Sequence, residues 1–126
     1  MALSNYNNGH SVNIFINSLT ADVDIPAMHC FKDVVLESVV LINGDPIAAD
    51  NANFVEIEIK RGSIVIAKLD SRASAQGAIV PMEAKAFEIL APLNDVPAGS
   101  TLSINYDETG TIGLSSAVVS LWVRTK

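Results

Sequence analysis

Alternation of apolar and polar positions organises most of the chain. In Ser11–Asn17 (SVNIFIN), Val12, Ile14 and Ile16 fall on one face and Asn13, Phe15 and Asn17 on the other, the two-residue period of a strand. Asp22 to Ile25 alternates acid and apolar before Pro26, which predicts an edge strand that ends at the proline. Val34 to Asn43 is apolar on both faces except at Glu37 and Ser38, the pattern of a central strand covered on both sides. Asn43-Gly44-Asp45-Pro46 then supplies a turn. Phe54 to Lys60 (FVEIEIK) sends Val55, Ile57 and Ile59 inward and Phe54, Glu56, Glu58 and Lys60 outward. Through Arg61-Gly62-Ser63 it reads as a hairpin with Ser63–Asp70 (SIVIAKLD). Ser71–Ala78 is a small, polar loop. Lys85–Ala91 (KAFEILA) has helix formers in it, but the flanking Pro81 and Pro92 and its short length favour a strand. Thr101–Asp107 alternates Leu102, Ile104 and Tyr106 with Ser103 and Asn105, and Ser116–Thr125 (SAVVSLWVRT) closes the chain after a loop with Gly110 and Gly113.

About eight strands at short intervals, with turn chemistry between them and no long helix, predict an all-β fold. The expected architecture is an antiparallel two-sheet sandwich or jelly roll. Val and Ile occur thirteen times each and Thr five times, and this β-branched enrichment suits a pleated, half-buried backbone. The domain reading is a flexible polar arm over residues 1–10 (MALSNYNNGH) and one sandwich domain over 11–126.

Composition narrows the function classes. The chain has 126 residues, 49% of them hydrophobic and 17% charged, with a net charge of −6. At this length about two thirds of the chain's surface can be buried, so a full core forms without disulfide or metal, and disorder is excluded. The acidic balance argues against a nucleic-acid partner, which would need a basic footprint. No apolar run reaches the roughly 18 residues of a membrane-spanning helix, and the first ten residues lack the basic and apolar regions of a signal peptide, so the expectation is a soluble protein with no membrane partner. Cys30 is the single cysteine, which forbids an internal disulfide. Beside His29 it could suggest a nucleophile pair, but neighbours on a strand face opposite ways and no orienting third group follows, so Cys30 reads as a small buried hydrophobe.

The carboxylates offer little chemistry. Asp22 and Asp24 share one strand face and could present oxygen ligands to Ca²⁺, yet charge on an edge strand also discourages edge-to-edge pairing. Asp45, Asp50 and Asn51, and likewise Asp107 and Glu108, lie in loops without EF-hand spacing, where Asp and Asn cap their own backbone. Glu56 and Glu58 could pose as a glycosidase pair, but no exposed aromatic cluster accompanies them. There is no phosphate-binding glycine loop, Cys/His cluster, GxSxG or HExxH. The reading is therefore not an enzyme, with no catalytic residue, metal or cofactor.

Large apolar groups on faces that should be wet are more informative. Phe15 opposes Val12, Ile14 and Ile16; Val118 and Trp122 oppose Val119, Leu121 and Val123; Phe54 heads an outer face. With Tyr6 of the arm, these form the candidate interface, because surplus apolar surface marks contact with other chains. The competing account is that strands slip at bulges and these residues complete the core.

The sequence resembles small β-sandwich decoration (cement) proteins of tailed bacteriophage heads. The resemblance lies in SLTADVDIPA, VVLESVVLINGDPI, VPAGSTLSINYDETGT and the closing AVVSLWVRT, and it spans Val12 to Arg124 as a pattern rather than a residue motif. It implies a structural virion protein on the outer surface of the capsid, assembled in the host cytoplasm. Its partners would be the major capsid protein and further copies of itself, a homotrimer being favoured. The alternative is a jelly-roll carbohydrate-binding or receptor-binding module, which calls for exposed aromatics on one face or a calcium loop.

Overall fold

A computed structural model describes residues 9–19 and 22–126. Among them are ten strands and no helix: β1 (Gly9–Leu19), β2 (Val23–His29), β3 (Val34–Asn43), β4 (Phe54–Arg61), β5 (Ile64–Asp70), β6 (Lys85–Ala86), β7 (Glu88–Ile89), β8 (Asp95–Val96), β9 (Thr101–Thr109) and β10 (Leu114–Thr125). Every pairing is antiparallel. The first sheet runs β1-β10-β3-β6, with β8 also on β3, and the second runs β2-β9-β4-β5-β7. The all-β, two-sheet antiparallel sandwich expected from the alternation is the fold.

The inner faces meet as the period of two requires. Leu36, Val39 and Leu41 of β3, Val55, Ile57 and Ile59 of β4, Leu102, Ile104 and Tyr106 of β9, and Val119, Leu121 and Val123 of β10 are all essentially inaccessible to solvent. Each aliphatic so enclosed contributes about 1.5–3 kcal/mol, which is where the stability of the sandwich resides. The β4–β5 hairpin turns at Gly62, whose φ of 63° lies in the left-handed region that side chains with a Cβ disfavour.

Four local readings change. Pro26 does not end its strand: β2 continues to His29 with a register shift between Pro26 and Met28, because an edge position spares the proline the ladder bond it cannot donate. β3 is central but not covered on both sides, since Val35, Val40 and Ile42 on its outer face stay half-buried. Lys85–Ala91 is not one strand. Lys85–Ala86 pairs with β3 and Glu88–Ile89 with β5, so the segment crosses from one sheet to the other around the buried Phe87. Gly9 and His10, assigned to the arm, belong to β1.

That crossing matters for the whole molecule. With the Phe87 amide bonded to the Val39 carbonyl, the Leu90 amide to Ile66 and the Leu36 amide to Asn94, residues 85–96 lace the two sheets together along one side. On the opposite side, among the described residues, β1 and β2 are the outermost strands of the two sheets.

Candidate docking face

The outer face of the first sheet carries an apolar row. Register places Phe15 of β1 opposite Val118 of β10, and Val118 opposite Ile42 of β3, so three neighbouring strands contribute one residue each. Phe15 is 78% exposed, and Val118 and Ile42 are half-buried beside it. The next outward row is polar on β1 and β10, Asn13 opposite Ser120 and joined to it by a 2.6 Å side-chain hydrogen bond, with half-buried Val40 of β3 at its end. Phe15, Ile42, Val118 and Met82 line a shallow groove of about 190 Å³. Met82 reaches it from the turn after Pro81, where its amide donates to the Asn43 carbonyl and its φ is 62°. A β-unbranched side chain held in that region costs of order 1 kcal/mol or more, and here the strained turn displays a thioether that is 75% exposed.

Trp122 lies on the same face, opposite Ser11 of β1 and Ser38 of β3. Its indole packs directly over Gly9, where a Cβ would collide with the ring. The glycine lets the ring lie down against the strand, and 43% of the residue remains exposed.

Phe54 does not join this face. It heads β4 in the other sheet, and although it points outward, it is only 9% exposed because the Arg72 guanidinium lies 4.3 Å from the ring centroid. Phe54 is therefore corrected from an exposed anchor to a covered side chain. Tyr6 lies outside the described residues. Of the remaining candidates, Phe15 and Val118 are brought together and Trp122 sits two rows along the same strands. Sequence reasoning passed over Ile42 and Met82, and also Phe31, which is 85% exposed in the loop after β2, its ring 4.7 Å edge-on from His29. A lone phenylalanine between Cys30 and Lys32 was the only signal for it.

Many of the polar side chains singled out in the sequence make contacts that brace loops and strands. Glu108 accepts from the Tyr106 hydroxyl at 3.0 Å and from the Ile112 and Gly113 amides at 3.2 Å, pinning the Gly110–Gly113 loop. Burial, then the neighbouring Glu108, push the Tyr106 hydroxyl far above the usual tyrosine range; fully enclosed, this ring is no sugar-stacking platform. Asp50 accepts from the Ala52 amide at 2.7 Å, which with Asn53 holds its carboxyl below the usual range, and Asn51 accepts from the Ser74 amide. Asp22 accepts from the Glu108 amide and Asp24 from the Asn105 side chain. Glu56 sits 3.6 Å from Arg72. Cys30 is 2% exposed and burial raises its thiol pKa, while His29 bonds Thr101 instead, at 2.8 Å. Among the described residues no group of three His, Cys, Asp or Glu is placed to hold a metal ion, and no helix is long and apolar enough to cross a membrane.

Comparison of the chain with protein-family models and with curated proteins finds no match.

Proposed function

We propose that the chain is a structural protein that docks on another protein surface through the outer face of its first sheet, and performs no chemistry of its own. The observation that supports this is the Phe15–Val118–Ile42 row, an apolar strip across three strands on a face that faces solvent. A sandwich of this size needs one apolar face per strand, and an additional strip with a protruding aromatic is the composition of an interface centre. The partner we propose, following the sequence resemblance, is the exterior of a bacteriophage capsid formed by the major capsid protein, decorated by an oligomer of this chain in the virion. The resemblance implies a trimer. Modest affinity per copy, repeated over many sites and multiplied by oligomer avidity, would stabilise such a shell. The experiment is co-sedimentation with capsids from the phage whose genome encodes the chain. The protein should pellet at saturable stoichiometry, and failure to pellet with those capsids would defeat the proposal.

A further inference from the structure

We infer that the chain self-associates by pairing the free edge of β1 with the β1 of a second copy, making the first sheet continuous across two subunits. Four observations converge on this edge. Among the described residues nothing pairs with the outer side of β1, an eleven-residue strand. The other edges are blunted. β2 carries Asp24, Pro26 and a register shift, all devices that prevent strand addition, and the opposite side is laced by residues 85–96. β1 has no proline, and the sequence contains no Asp, Glu, Lys or Arg before Asp22. Finally, Val12 and Ile14 face inward yet are only half-buried, because no neighbouring strand shields them on the open side.

Charge leaves this strip open to a second copy. Each copy carries −6, so two copies repel over most of their surfaces, and the uncharged β1 edge is a strip along which they can meet. A strand that offers main-chain donors and acceptors without charge is also its own complement: an antiparallel, twofold pairing brings identical elements together. Any register pairing like faces keeps Val12, Ile14 and Ile16 of both copies on one inner face, closing over the half-buried pair. Such a contact is isologous and ends at two subunits, which departs from the trimer that the family resemblance implies. It stands apart from what the outer face binds, although the two Phe15 side chains would then share one enlarged face.

Light scattering on the full-length chain, with amide hydrogen exchange at low and high protein concentration, tests the pairing. The expected mass is two chains of 13.4 kDa, with alternate β1 amides exchanging on the order of tenfold more slowly at high concentration. Val12→Lys, which puts an inward-facing charge on the edge, should return the mass to one chain while the melting curve stays cooperative. Should that variant fail to fold, exchange in the wild-type chain decides alone. A monomer at on the order of 100 µM, where a standard-sized interface would be formed, overturns the inference. So does a trimer, or a dimer whose β1 amides exchange as fast as the monomer's. Protection that is independent of concentration and disappears on deleting residues 1–8 would likewise overturn it, by giving the edge to the chain's own N-terminus. Capsid binding is read in neither measurement, so its failure and the failure of this pairing are distinguishable.

Discussion

The Arg72 guanidinium lies over the Phe54 ring, 4.3 Å from its centroid, while its Nη2 stays within reach of Asp70 and Glu56. One side chain from a polar loop thus covers an outward-facing aromatic and ties the start of β4 to the end of β5. Arg72→Ala uncovers the ring and unpairs Asp70. The variant loses a cation–π contact and the ion pair to Asp70, whose side chain is only 13% exposed, so the denaturation midpoint should fall while the slope stays unchanged. Urea unfolding measures this.

Two aspartates give opposite pH signatures. Hydrogen bonds from the Arg72 side chain hold the Asp70 carboxyl below its usual range, against some opposing burial. Its contribution is complete above the unfolded value of about 3.9 and drains away as pH falls through the lower folded value. Asp70→Asn should therefore cost stability at neutral pH, with the gap to wild type narrowing below about pH 4. Asp107 is raised, first by burial and then by the charges of Asp22 and Asp24, with Lys60 opposing. Here the folded state favours the protonated acid, so the ionised form weakens the fold above its folded pKa. Asp107→Asn should stabilise by a few tenths of a kcal/mol at neutral pH, and that gain should vanish in acid. Melting temperatures across pH 3 to 8 separate the two.

Trp122, the only tryptophan, reports on the strand it covers. Gly9→Ala places a methyl where the indole sits, so the ring must swing out toward water. Its fluorescence should shift to the red with little loss of secondary structure.

Cys30 should behave as a core residue. At 2% exposure, with burial raising its pKa, it lacks the thiolate and the access that reaction requires. Native protein should leave a thiol reagent such as Ellman's essentially unreacted, and denatured protein should consume one equivalent per chain.

Local pattern carried much of this architecture. The FVEIEIK alternation orients β4 correctly, and Leu102, Ile104 and Tyr106 stand on the core face where the period puts them. What stayed hidden depends on partners distant in sequence. KAFEILA reads as a single strand because nothing local reveals that Lys85–Ala86 and Glu88–Ile89 bond to different sheets. Alternation rightly turns Phe54 outward, but the residue that covers it arrives eighteen positions later from a loop. The apolar row on the outer face shows the same division: Phe15 and Val118 are visible as misplaced apolar residues, whereas Ile42 in a run of hydrophobics and Met82 on a strained turn join them only through register and turn geometry.

Phe15 is exposed and therefore dispensable to folding. Phe15→Ser should leave the melting temperature within the range of an ordinary surface change, about half a kcal/mol. Quantitative co-sedimentation with capsids of the phage proposed to encode the chain, run alongside Phe31→Ser as a control at the opposite end of the strands, is the most direct measurement. Phe15→Ser should weaken binding by about 30-fold, the roughly 2 kcal/mol of an interface anchor, and Phe31→Ser should bind as wild type does. Equal binding by Phe15→Ser and wild type would contradict the assignment of this face.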